Sequence, residues 1–156
     1  MSNKETLHFK IGLSGSSPFK QPEFRICVND KEYCHQSLTS SVNETEFFEF
    51  DIEIEEGDHC LQIDLCNKLP QDTHKDDNGN ITADLLLNID YIEVDEIELT
   101  TIKWTHSEYH PNYPKLYKLT NTDLPDIIKN CVNLGWNGRW SLPFTSPFYF
   151  WLLENI

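Results

Sequence analysis

Residues 58–99 read DHCLQIDLCNKLPQDTHKDDNGNITADLLLNIDYIEVDEIEL, and their pattern decides the fold. Leu61, Ile63 and Leu65 recur at period two, opposite Cys60, Gln62, Asp64 and Cys66, which predicts a strand with one inward and one outward face. The polar run that follows, with Asp72, Asp76, Asp77, Asn78 and Gly79, has the composition of a turn. A second apolar segment holds Leu85, Leu87 and Ile89 in one parity and resumes as Ile92 and Val94 in the other. Strand, acidic loop, strand is the reading, with a bulge or turn near Asp90–Tyr91 absorbing the change of parity.

Working outward, Leu7, Phe9, Ile11 and Leu13 alternate over Thr6–Leu13, and Phe24, Ile26 and Val28 do so over Glu23–Val28. Asn29-Asp30 predicts a turn into a weaker strand around Glu32–Leu38. In Glu46–Glu55, Phe48, Phe50, Ile52 and Ile54 face one way and Glu49, Asp51, Glu53 and Glu55 the other, a row that reads as a solvated face discouraging edge pairing. Strands this short, joined by turns, predict a mainly β chain: an antiparallel, jelly-roll-like β-sandwich with one or two short helices near the C-terminus. The expected organisation is one domain over 1–156, with a sandwich body at 5–100 and an aromatic-rich extension at 101–156 packed on it. Within that extension a helix is expected over Thr122–Leu134, ended by Gly135, and a hairpin turn at Asn137-Gly138. The apolar run Phe148–Ile156 is expected to dock beside Trp136–Phe144 while leaving some aromatic surface free.

Twelve basic against 26 acidic residues give a net charge of −14, which opposes partnership with nucleic acid or an anionic membrane. No window approaches the ~18 apolar residues of a membrane span, and the N-terminus lacks the apolar core of a signal peptide. Five cysteines without a C-x-x-C pair argue against a disulfide framework.

Motifs for chemistry are sparse. Placing Gly79 at the sixth position of an EF-hand loop puts His74 first and Leu85 twelfth, so the carboxylates such a loop needs are missing. Two readings of the loop stay open: an irregular oxygen-ligand calcium site, or a polar hairpin whose Asp and Asn residues serve turn geometry. His106-Ser-Glu108-Tyr-His110 is not H-E-x-x-H, and Pro111 directly after it argues against the helix that would put both imidazoles on one side; no nucleophile elbow or phosphate loop occurs either, so no enzyme is expected. Trp104, Tyr109, Tyr113, Tyr117, Trp136 and Trp140 suit either core packing or a sugar-stacking platform; Trp104, Tyr109 and Tyr113 are the candidate ligand-binding residues.

A resemblance rests on the order of several pieces: Leu61-Gln-Ile-Asp-Leu-Cys-Asn67-Lys68, Asp72-Thr73, Asp77-Asn-Gly-Asn80, Leu134-Gly-Trp-Asn137-Gly138-Arg-Trp140 and Thr145-Ser-Pro147-Phe-Tyr-Phe-Trp151-Leu-Leu-Glu154. The chain resembles the small calcium-dependent carbohydrate-binding modules of xylan-degrading enzymes, and more closely a group of virion proteins of marine tailed bacteriophages. The first likeness implies a loop-bound Ca²⁺ that contacts sugar hydroxyls, with Asp72, Asp77 and Asp84 as its ligands here. The second implies a non-enzymatic structural protein of the capsid, neck or tail, made in the host cytoplasm and located in the virion. Its partners would be other virion proteins. The alternative function is a calcium-dependent module that recognises host surface polysaccharide.

Overall fold

The computed structural model describes residues 3–156. Its strands are β1 (Lys4–Gly15), β2 (Glu23–Val28), β3 (Lys31–Ser37), β4 (Glu46–Glu55), β5 (Gly57–Leu65), β6 (His74–Lys75), β7 (Ile81–Ala83), β8 (Leu87–Val94), β9 (Ile97–Glu98), β10 (Glu108–Pro111), β11 (Ile128–Lys129), β12 (Asn133–Leu134) and β13 (Gly138–Ser146). Three short helices join them: α1 (Ile102–Thr105), α2 (Lys115–Thr120) and α3 (Phe148–Asn155). One sheet runs β12-β8-β1-β4 with β9 folded back on β8, the other runs β11-β10-β13-β5-β2-β3, and β6 and β7 form a separate hairpin. Every pairing is antiparallel, so the molecule is a mainly β sandwich with its helices toward the C-terminus.

The core lies where the alternating apolar faces meet. Leu7, Phe9, Ile11 and Leu13 of β1 are at most 1% exposed, as are Ile26, Leu61 and Ile63 across from them. Rings cross the gap between sheets: Phe9 lies 6.0 Å from Phe144, and Phe24 lies 4.8 Å from Phe48. The change of parity in β8 is a bulge at Asp90, because Gly12 pairs with Tyr91 while the next residue, Leu13, pairs with Ile89. Asn29 and Asp30 both adopt positive φ, the two-residue turn that matches strand twist, and join β2 to β3.

Beyond residue 100 the structure departs from expectation. Residues 101–156 are not an extension laid on a finished body: β13 sits between β5 and β10 in the middle of the larger sheet, and β12 borders β8 in the other. No helix forms over Thr122–Leu134; its second half gives two edge strands, β11 and β12, to opposite sheets, and Asn130 between them is left-handed at φ 55°. Asn137-Gly138 is a corner where the chain changes sheets, not a hairpin turn. Gly138 is required there, since at φ 153° a Cβ would stand 2.3 Å from the His110 carbonyl oxygen. The terminal segment docks through Phe148, Trp151 and Leu152, with Phe148 and Trp151 near Phe144, and leaves Tyr149, Phe150, Leu153 and Ile156 exposed.

Candidate functional site

The loop after β5 is built by side chains that answer backbone groups. Asn67 accepts from the Glu23 N–H at 2.8 Å and donates to the Gln21 carbonyl at 3.1 Å, extending the strand by one more rung. Asn137 does the same for Lys68, accepting its N–H at 2.7 Å and donating to its carbonyl at 2.9 Å. A single turn of 3-10 helix, Pro70–Asp72, follows, and the Asp72 carboxylate accepts the Leu69 N–H at 2.7 Å. The β6–β7 hairpin then carries the acidic tip, where Asp76 accepts the Asn78 and Asn80 N–H groups, each at 2.9 Å. Those bonds, the one from Asn80 foremost, hold the Asp76 carboxyl below its ordinary value.

The three carboxylates named as calcium ligands do not converge. Asp72 accepts from Lys20 at 2.8 Å; burial alone would push its carboxyl up, but the Lys20 and Leu69 hydrogen bonds and the nearby lysine charges together hold it below the usual range. Asp84 Oδ1 accepts from the Lys68 ammonium and from the Thr73 hydroxyl, the latter at 2.7 Å. Asp77 stands exposed at the hairpin tip. Among the described residues no three His, Cys, Asp or Glu side chains form a cation cage. The donor set therefore does not fit the ion that the resemblance implies, because lysine ammonium groups already neutralise its two least exposed carboxylates.

Lys68 is the centre of this arrangement. Its side chain is only 4% exposed, and its ammonium donates to Asp84 and, at 2.9 Å, to the Gly135 carbonyl. It also lies 5.6 Å from the centroid of the Trp136 ring. A cleft of about 560 Å³ opens over it, lined among others by Thr73, Asp84, Tyr117 and Trp136.

The aromatic residues divide differently from expectation. Trp104, on α1, is exposed and does not line this cleft; its carbonyl accepts from Asn130. Tyr109 is in the core at 1% exposure, where its hydroxyl accepts the Trp136 N–H at 2.9 Å and donates to the Trp136 carbonyl. Burial pushes its phenol well above the ordinary value. Tyr113 is buried too, its hydroxyl on the Pro125 carbonyl at 2.9 Å and its ring edge-on to Trp136 at 5.5 Å. Tyr109 and Tyr113 thus hold Trp136, while Tyr117, 4.6 Å from the indole and more exposed, forms the open wall. Trp140 is wholly buried. Lys68 escapes sequence reasoning because a lysine after a strand is read as solvated; its position between Asn67 and an acidic loop was the available signal.

The sandwich is the fold of carbohydrate-binding modules. One similar structure is the selenomethionine form of vCBM60, solved in connection with a circular permutation linking two families of calcium-dependent carbohydrate-binding modules; it superposes with a TM-score of 0.55 at 11% identity, over 87% of this chain and 89% of that one. Another, vCBM60 in complex with galactobiose, gives a TM-score of 0.51 at 14% identity, over 86% of this chain and 96% of its own. No protein-family model matches the chain, and no curated protein matches it.

Proposed function

We propose that this protein is a non-catalytic carbohydrate-binding module that takes a neutral glycan in the cleft above Lys68. The observation that carries the reading is the cleft itself, in which an aromatic wall of exposed Tyr117 and half-buried Trp136 stands beside the Lys68, Thr73 and Asp84 polar groups. An aromatic ring suits the apolar face of a sugar, and adjoining charged groups suit its hydroxyls. The fold shared with solved modules, one of them holding galactobiose, supports the same reading. A net charge of −14 disfavours sulfated or uronate-rich polymers by repulsion. On a polysaccharide array, binding is expected to neutral glycans and to be lost in Trp136→Ala; binding only to anionic polymers, or binding indifferent to Trp136→Ala, would refute the reading.

A second reading, that the module is carried on a phage particle by contacts with other virion proteins, is favoured by one observation: an apolar surface formed by Tyr149, Phe150 and Leu153 of α3 with Ile156 just after it is exposed. Mass spectrometry of purified particles tests it, since the protein should be present in stoichiometric amount.

A further inference from the structure

Lys68 occupies the position in which a cation is useful. A nearly buried ammonium has three N–H donors, and among the described residues two go to oxygen acceptors, Asp84 Oδ1 and the Gly135 carbonyl. Asp84 in turn uses one oxygen for Lys68 and Thr73, while Oδ2 has no protein partner among the described residues and the side chain is 24% exposed beside the cleft. One donor and one acceptor thus remain side by side on opposite charges, at the foot of the Trp136 indole. Adjacent hydroxyls of a sugar ring match that pair, one accepting from the ammonium and the other donating to the carboxylate, while the ring's apolar face lies on the aromatic wall.

We propose that the Lys68–Asp84 pair binds a vicinal diol of a neutral sugar directly and that the site works without a divalent ion. This rests on the carbohydrate-binding reading above and goes beyond it in assigning the recognition chemistry. A divalent ion at Asp84 would have to displace an ammonium whose burial and carbonyl contact hold it there, and the second lysine, Lys20, holds Asp72 in the same way. Asn137 acts as a positioning residue by clamping the Lys68 backbone on both sides. Charge neutralisation within the site also explains how a strongly acidic chain can keep a carboxylate at a ligand's hydroxyl without recruiting a metal.

The test uses the full chain labelled with nitrogen-15 and titrated with galactobiose and with xylobiose, in excess EDTA and again in millimolar calcium. The expected result is that at least one disaccharide shifts the Lys68, Thr73 and Trp136 resonances in EDTA, with the same affinity in calcium. The melting temperature of the sugar-free protein should also be identical in the two solutions. Tyr117→Ala, a substitution on an exposed rim, should weaken binding about tenfold with no change in fold. Binding that requires calcium, a melting temperature raised by calcium, or shifts confined to another surface would overturn the proposal and leave carbohydrate binding standing. No binding of either sugar in either solution would overturn both.

Discussion

Asn137 shows how a single side chain can do the work of a strand. Its amide replaces one rung of backbone ladder by bonding both the N–H and the carbonyl of Lys68, and its own carbonyl accepts from the Asn112 N–H at 2.6 Å. Asn137→Ala leaves a donor and an acceptor of a half-buried turn without partners, so a loss of about 1–3 kcal/mol is expected in urea unfolding, with a larger proportional loss of sugar affinity. Another residue with a readable consequence is His8, whose ring nitrogens bond Glu49 at 2.9 Å and Asp51 at 2.6 Å on the outer face of the sheet. The hydrogen bond to Glu49, then that to Asp51, raises its pKa above 6.5. A raised folded value means that the native state holds the proton more tightly than the unfolded chain does. The contribution is complete below about pH 6.5 and is lost as pH rises through the folded value. His8→Gln should flatten the decline of melting temperature above pH 6.5 relative to the parent; an unchanged slope would show that this cluster is not coupled to folding.

At the scale of elements, alternation is the part of the fold that the sequence makes legible. In β1 and β4 the facing of each residue follows from strand geometry alone, so Leu7–Leu13 and Phe48–Ile54 can be placed without knowing their partners. The bulge at Asp90 is legible for the same reason, as a break in that count. Thr122–Leu134 is not, because its helical spacing is overruled by two distant edges that each claim one dipeptide, β10 taking Ile128–Lys129 and β8 taking Asn133–Leu134. The site is legible only in kind: aromatics and an acidic loop are visible, but which ring is open and which carboxylate already has a lysine depends on packing. The corner before β13 offers a sharp test. Gly138→Ala would force a Cβ into the His110 carbonyl and Pro111 at a φ disfavoured for L-residues, so destabilisation by about 3 kcal/mol or more is expected by thermal melting, together with loss of the β10–β13 pairing.

The whole molecule carries its excess charge mostly outside the sandwich, where Glu49, Asp51, Glu53 and Glu55 line one strand and only partly meet Lys4 and His8. Such an acidic surface repels itself in the folded state. Raising salt from about 10 mM to about 500 mM shortens the screening length from about 30 Å to a few ångströms, so the melting temperature should rise despite weaker surface ion pairs. A fall would mean that the ion pairs outweigh the net repulsion. Arg139 departs from this surface pattern, held by Asp64 at 2.8 Å, 75 residues away in sequence, and by Asp30 at 2.5 Å, 109 residues away.

The central place of β13 has a consequence for how the chain is made. During synthesis β5 emerges about seventy residues before the strand that pairs with it along its whole length, since Gly138–Ser146 matches Leu65–Gly57. Until then one edge of β5 is bare, with Leu61, Ile63 and Leu65 already committed to a core that still lacks Trp140 and Phe144. The nascent chain therefore passes through an interval in which it is sticky and unable to close. A pause or a nick between β9 and β13 would turn that interval into an aggregation hazard.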